Sequence, residues 1–136
     1  MRYFTIIILT CLAFNLQSQV ITKKLIGKWQ WIESSGGMAG EIMNPKTEKY
    51  QIQIEYNKKG MFKQWKDDQL EYSYKYQVKK GKSIFSQEAD LIISYIPKPT
   101  SKIALISDCF EFIGNDTLML KNECYDCYAR LFVRKK

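Results

Sequence analysis

The stretch YQIQIEY, residues 50–56, alternates large apolar or aromatic side chains with polar ones at every step. A period of two places one set of side chains on the buried face of a β-strand and the other set in solvent. The stretch YSYKYQV, residues 72–78, repeats the pattern with three tyrosines. No long stretch carries apolar residues at the spacing of an amphipathic helix, so the alternation predicts an all-β protein.

Turn residues divide the chain into eight or nine short antiparallel strands. The clearest hairpin turn is Gly114-Asn115-Asp116, and the other turns fall at residues 57–60, 67–68 and 80–82. Such a series closes most easily into a single up-and-down antiparallel β-barrel, because closure removes the unpaired edges. The predicted strands cover residues 25–34, 50–56, 61–66, 70–79, 83–86, 91–96, 102–113, 117–121 and 127–134. Two connections interrupt the rhythm, a Gly-rich one at 34–48 and a shorter one at 95–102, and each is either a functional lid or a surface loop.

The first 18 residues predict a secretory signal peptide. Arg2 supplies a positive charge, an apolar run follows it, and we place cleavage near Ser18/Gln19. The run is too short to span a bilayer stably. Lipidation at Cys11 is the alternative, although residues 8–10 form a poor lipobox. We therefore expect one domain, residues 19–136, secreted or located in the periplasm or cell envelope, with no membrane span in the mature chain.

The composition argues against several classes of function. The net charge is +7, or +6 without Arg2, and the basic residues are scattered along the chain. A solvated positive surface explains this pattern better than nucleic-acid binding does. The chain has no histidine, which removes the commonest general base near neutral pH and a common metal ligand. Since no paired carboxylates or phosphate-binding loop stand in their place, we expect a non-enzymatic protein with no metal and no cofactor.

A set of short motifs, in order and spacing, resembles the lipocalin-like domains of bacterial secreted proteins. The resemblance spans essentially the whole mature chain, and it implies an eight-stranded barrel with a central cavity able to hold a small apolar ligand. A barrel like that of the fatty-acid-binding proteins is a near neighbour. The motifs are Gly27-x-Trp29, similar to the lipocalin G-x-W signature, the GGMAG loop at 36–40, Gly60-x-Phe62, the hairpin at 114–120, and Phe132-x-Arg134.

The resemblance also implies how the barrel closes, with an arginine of the last strand lying over the tryptophan of the G-x-W motif. In a closed antiparallel barrel the start of the first strand meets the end of the last, which brings Trp29 near Arg134. A planar guanidinium stacks on an indole face, and Gly27 leaves room for it. The alternative is that Arg130 and Arg134 point outward, because the intervening residues of this strand are also apolar.

The alternating aromatic residues admit either a filled core or a ligand cavity. The hydroxyls of Tyr72, Tyr74 and Tyr76 favour a cavity, because a dry core would have to satisfy three neighbouring phenols. The alternative is that these hydroxyls reach the rim of the barrel. A cavity indicates a module that binds a small hydrophobic molecule. A filled interior indicates a structural or interaction protein of the cell envelope that acts through its loops. The predicted ligand-binding residues are Trp31, Ile52, Ile54, Tyr72, Tyr74, Tyr76, Phe110 and Phe112.

Three cysteines remain after the signal peptide, and a structural disulfide is expected in an oxidising compartment. If residues 114–116 form the turn, Cys109 lies opposite Lys121, and Cys124 follows about three residues further along. Cys109–Cys124 is the first expected pairing. Cys124–Cys127, a C-x-x-C outside the βαβ setting of redox-active examples, is the second.

Overall fold

The computed structural model describes residues 19–100 and 103–136, so the predicted signal peptide, Cys11 and the start of the strand predicted from residue 102 lie outside the described residues. Within these ranges no helix has the length and apolar character needed to cross a membrane. The strands are β1 Gly27–Gly36, β2 Glu41–Met43, β3 Ile52–Tyr56, β4 Met61–Lys66, β5 Gln69–Lys82, β6 Ala89–Ile96, β7 Asp108–Ile113, β8 Thr117–Asn122 and β9 Tyr128–Arg134. Helical residues are α1, residues 19–25, and α2, Pro45–Glu48.

Eight of the strands form a closed up-and-down barrel. Each strand from β3 to β8 pairs antiparallel with the next, and β1 pairs with both β3 and β9. The ninth strand, β2, lies outside the barrel and pairs only with residues 34–36 of β1. The predicted fold class is therefore confirmed, with eight strands in the barrel and one beside it.

The registers follow from the alternation that the sequence shows. In β3 and β5 the inward set includes Ile54, Tyr56, Tyr74 and Tyr76, all buried. The hairpin around Gly114 places Cys109 opposite Lys121 as predicted. At the closing seam, Trp29 of β1 stands opposite Arg134 of β9.

The segment predicted as a strand at 83–86 is instead the tip of a long hairpin, because β5 continues to Lys82. This tip is held against the β8–β9 connection. The Ser83 hydroxyl donates to Glu123 Oε1 at 2.7 Å, and the Ile84 amide donates to Glu123 Oε2 at 3.0 Å. These bonds take the place of ladder pairing, which is why the strand prediction fails here.

The strand predicted at 102–113 begins only at Asp108. Residues 103–107 lie outside the sheet and form the last part of the connection between β6 and β7, with Ile103 and Ile106 half exposed. The Tyr74 hydroxyl donates to the Ile103 carbonyl at 2.9 Å and thereby holds this connection against the barrel. The connection covers the end of the barrel at which β7 begins.

The Gly-rich connection at 34–48 contains regular structure. β2 folds back on β1, and α2 follows, with the Asn44 side chain capping the amides of Lys46 and Thr47. Gly36, at φ +142°, allows the backbone to pass Cys127, whose carbonyl a side chain at position 36 would overlap. The connection is thus a hairpin and a helical turn attached to one edge of β1.

The hydrophobic core fills the end of the barrel at which β1 begins. The helical segment α1 packs across this end, with Leu25 fully buried. Lys24 Nζ donates to the Gly114 carbonyl at 2.8 Å and lies 4.6 Å from the centre of the Phe112 ring. We call this the closed end, and the end beneath residues 103–107 the cavity end.

Candidate functional site

At the closed end Arg134 lies over Trp29, with its Cζ atom 4.1 Å from the ring centre. Its Nη1 donates to the Ile26 carbonyl at 3.1 Å and its Nη2 to the Lys24 carbonyl at 2.5 Å. The Trp29 indole donates in turn to the Leu25 carbonyl at 2.9 Å. Arg134 thus ties β9 both to the indole of β1 and to the end of α1.

The same arginine leaves no room for a side chain at position 27. A Cβ atom at position 27 would lie 2.8 Å from Arg134 Nη1, and the backbone has a φ of +139°, which side-chain-bearing residues rarely adopt. Gly27, Trp29 and Arg134 therefore form one structural unit at the closed end, away from the cavity.

The residues predicted to bind a ligand mostly fill the interior. Trp31 stacks on Tyr50 at 5.6 Å and donates to Ser34 Oγ at 2.8 Å. Ile54 is fully buried, Ile52 packs against the core, and the rings of Phe110 and Phe112 meet edge to face at 5.8 Å.

Two of the three tyrosines of β5 bond to backbone carbonyls, and the third lines the cavity. The Tyr74 hydroxyl donates to the Ile103 carbonyl, and the Tyr76 hydroxyl donates to the Asn57 carbonyl at 3.2 Å. Both phenols are therefore satisfied by backbone near the rim of the barrel. Of the eight predicted ligand-binding residues, Tyr72 lines the cavity.

The cavity has a volume of about 280 Å³ and lies at the cavity end, beneath the connection between β6 and β7. Strands β4 to β9 supply most of its wall, residues 104–106 of the connection supply the rest, and the cavity is partly open to solvent. Its surface combines apolar side chains with the polar groups of a buried network. It is lined by Phe62, Gln64, Tyr72, Tyr95, Ala104, Leu105, Ile106, Asp108, Asn122 and Arg130.

The floor of the cavity is a hydrogen-bonded network centred on Asp108, which is fully buried. Arg130 Nη2 donates to both carboxylate oxygens, at 2.9 and 2.8 Å. Asn122 Nδ2 donates to Oδ1 at 2.7 Å, and the Tyr95 hydroxyl donates to Oδ2 at 2.7 Å. Four hydrogen bonds therefore saturate the carboxylate, as a buried charge requires.

The hydrogen bonds of Tyr56 and Tyr95 can run in one direction only. The Tyr56 and Tyr95 hydroxyls are 2.8 Å apart, and Tyr95 already gives its only proton to Asp108. Tyr56 must therefore donate to Tyr95. Burial, and after it the nearby Asp108 charge, raises the pKa of Tyr95 well above its usual value, and the same causes raise the pKa of Tyr56. Both phenols are protonated donors at neutral pH.

Arg130 belongs to this network and also lines the cavity. Its side chain keeps 25% of its exposure, whereas the Asp108 side chain keeps none. Its Nε atom is buried and has no hydrogen-bond partner among the described residues. Both hydrogen bonds that the guanidinium makes to the described residues come from Nη2, so Nη1 is the donor left for a ligand at the cavity.

The outward alternative for Arg130 and Arg134 is wrong. β9 turns Arg130, the buried Phe132 and Arg134 inward, because each arginine finds partners inside the barrel.

Asp108, Tyr95, Asn122 and Arg130 were not predicted as site residues, although a signal for three of them exists. Asp108 precedes the inward Phe110 by two residues, and Arg130 precedes Phe132 by two, so each shares a strand face with a core residue. The register around Gly114 also places Asn122 opposite Asp108.

The cysteines form the second expected pairing. Cys124 and Cys127 are bridged, with Cα atoms 5.5 Å apart, and Cys109 is a free thiol. The first expectation, Cys109–Cys124, is wrong because the chain turns sharply after Asn122, where the Cys124 amide donates to the Asn122 carbonyl at 2.8 Å. Burial raises the pKa of the Cys109 thiol, and the charge of Asp90 raises it further.

The sequence matches no protein-family model, and neither a curated protein nor a solved structure is significantly similar to it. The closed eight-stranded up-and-down barrel is compatible with the lipocalin and calycin folds. In the described ranges, His, Cys, Asp and Glu side chains form no group of three that could hold a metal ion.

Proposed function

We propose that the protein is a lipocalin-like binding module that holds a small molecule in the cavity beneath residues 103–107. The supporting observation is a partly open pocket of about 280 Å³ at this end of the barrel, lined by inward-facing side chains. Ligand pockets usually measure about 300–1,000 Å³, so this cavity suits a ligand smaller than a typical drug.

The lining favours a ligand with an apolar body and a polar end. Phe62, Tyr72 and Leu105 offer apolar contact, while Arg130, whose bonds to Asp108 come from Nη2, offers its Nη1 as a hydrogen-bond donor at the floor. Binding sites for small molecules commonly combine apolar walls with a few fixed polar groups that orient the ligand. An amphipathic ligand therefore fits this cavity better than a purely hydrophobic one.

The same groups favour binding over catalysis. Asp108 has no exposure and already accepts four hydrogen bonds, so it is poorly placed to take a proton from a ligand. Tyr95 is held protonated, which leaves it a donor. We propose a non-enzymatic role, because a general base in contact with the ligand would be needed for acid–base chemistry.

We place this role in the secreted or periplasmic space. The predicted signal peptide supports this location. The bridge between Cys124 and Cys127 supports it further, because structural disulfides persist in oxidising compartments.

An envelope component that acts through its loops is the second candidate. It is supported by exposed apolar side chains on neighbouring loops, with Met38 93% exposed and Tyr125 85% exposed. These loops are joined where the Gly37 amide donates to the Cys127 carbonyl at 3.4 Å. This function does not need the cavity, so a test of the cavity separates the two.

Native mass spectrometry of the protein recovered from its own host tests the binding function. We expect a non-covalent adduct of low mass that is lost from Gln64→Trp, because Gln64 faces the cavity from β4 and an indole there would fill it. Lys63→Trp is the matched control, since adjacent residues of a strand face opposite sides. An adduct retained by both variants would place the ligand elsewhere.

A further inference from the structure

The charges around the cavity restrict the ligand further, and this inference rests on the proposed binding function. Arg130 carries the positive charge of the lining and Asp108 the negative one, with Arg130 Nη2 2.8 Å from Asp108 Oδ2. The other lining residues are uncharged, so the cavity has a net charge of zero although the whole chain carries +7.

The network can donate a hydrogen bond to a ligand but cannot accept one at Asp108. All four lone-pair positions of the carboxylate are filled by Arg130, Asn122 and Tyr95. The Tyr95 proton is committed to Asp108, and the Tyr56 proton is committed to Tyr95. Arg130 donates to Asp108 through Nη2 and its Nε is buried, so Nη1 is the guanidinium donor that a ligand in the cavity can reach.

We infer that the cavity selects uncharged molecules that carry a hydrogen-bond acceptor, such as a ketone, ester or amide carbonyl, over carboxylates of the same size. A carbonyl at the guanidinium gains a hydrogen bond and keeps the cavity neutral. A carboxylate meets an arginine whose charge Asp108 already balances, and it must give up its hydration in a site without net positive charge. An alkane leaves the guanidinium donor unsatisfied.

The inference is tested by titrating the protein at neutral pH with methyl heptyl ketone, octanoate and nonane, which are closely matched in length. Isothermal titration calorimetry measures each dissociation constant. We expect the ketone to bind about tenfold more tightly than nonane, which is the effect of one net hydrogen bond. We expect the preference of the protein for the ketone over octanoate to be at least as large as its preference for the ketone over nonane.

A variant that should reverse the ligand preference provides the second test. Asp108→Asn leaves the Arg130 charge unbalanced, so octanoate should overtake the ketone in this variant. Glu111→Gln is the control, because it removes one carboxylate of the same strand whose side chain is 59% exposed at the surface. That control should keep the ketone preference of the unmodified protein.

Each outcome of the first titration is decisive even if Asp108→Asn does not fold. Octanoate as the tightest ligand of the unmodified protein, or nonane equal to the ketone, overturns the inference and leaves the proposed binding function standing. Failure of all three probes to bind counts against the binding function itself.

Discussion

Replacing Arg130 with methionine removes the strongest partner of a fully buried carboxylate. Arg130 Nη2 contacts both oxygens of Asp108, and only Asn122 and Tyr95 would remain as donors. Breaking a buried ion pair by removing one partner costs about 3–5 kcal/mol. Because the Arg130 side chain is 25% exposed at the cavity, water can replace part of the contact, and we expect a loss near the lower limit of about 3 kcal/mol.

Urea unfolding followed by tryptophan fluorescence, with the disulfide intact, measures this loss. For a domain of this size it corresponds to a fall in Tm of about 10 °C. The double change Arg130→Met with Asp108→Asn should recover at least about 1 kcal/mol, because it also removes the unpaired charge. Glu111→Gln, which breaks the 3.8 Å surface contact with Lys121, should change stability by less than about 0.5 kcal/mol. A cost below about 1 kcal/mol for Arg130→Met would mean that the carboxylate does not depend on the guanidinium.

Three further outcomes are expected. In a double-mutant cycle of Arg134→Lys and Trp29→Phe, the changes should couple by about 0.5–2 kcal/mol in melting experiments, and additive effects would mean that the stacking contributes nothing. Folded Tyr56 and Tyr95 keep their protons above pH about 10, where unfolded tyrosine loses them, so stability should fall as the pH rises above that value. Absorbance titration should show their phenolates only as the protein unfolds, and ionisation in the folded state would contradict their burial. Non-reducing peptide mapping should find Cys109 free, and a bridge to it would refute the pairing described.

The barrel was predictable because its strands carry the alternation of a half-buried sheet. The turn at Gly114 set the register of β7 and β8, and the pairing of Trp29 with Arg134 followed from closure. The hairpin tip at 83–86 was not predictable, because its position depends on Glu123, forty residues away in sequence. Local alternation carries no information about such a contact.

The interior was harder to predict, because the two hypotheses of a filled core and a cavity each describe one end of the barrel. The closed end is filled, with Trp29 and Phe112 at 6.0 Å, while the cavity end is built on Asp108 and Arg130. Charged residues are usually assigned to the solvent face, so an inward pair on β7 and β9 breaks the pattern on which sequence reasoning depends. The inward position of this pair could have been predicted, because its members lie two residues before Phe110 and Phe132 and so share their strand faces.

Occupancy of the cavity is tested most directly by an equilibrium titration with N-phenylnaphthylamine, an uncharged dye that fluoresces in apolar surroundings. The unmodified protein and Lys63→Trp should show saturable binding at one site with similar dissociation constants. Gln64→Trp, folded by the same criteria, should lose binding at least tenfold, because its indole occupies the cavity. Equal binding by all three proteins, or by none of them, would contradict a ligand site beneath residues 103–107.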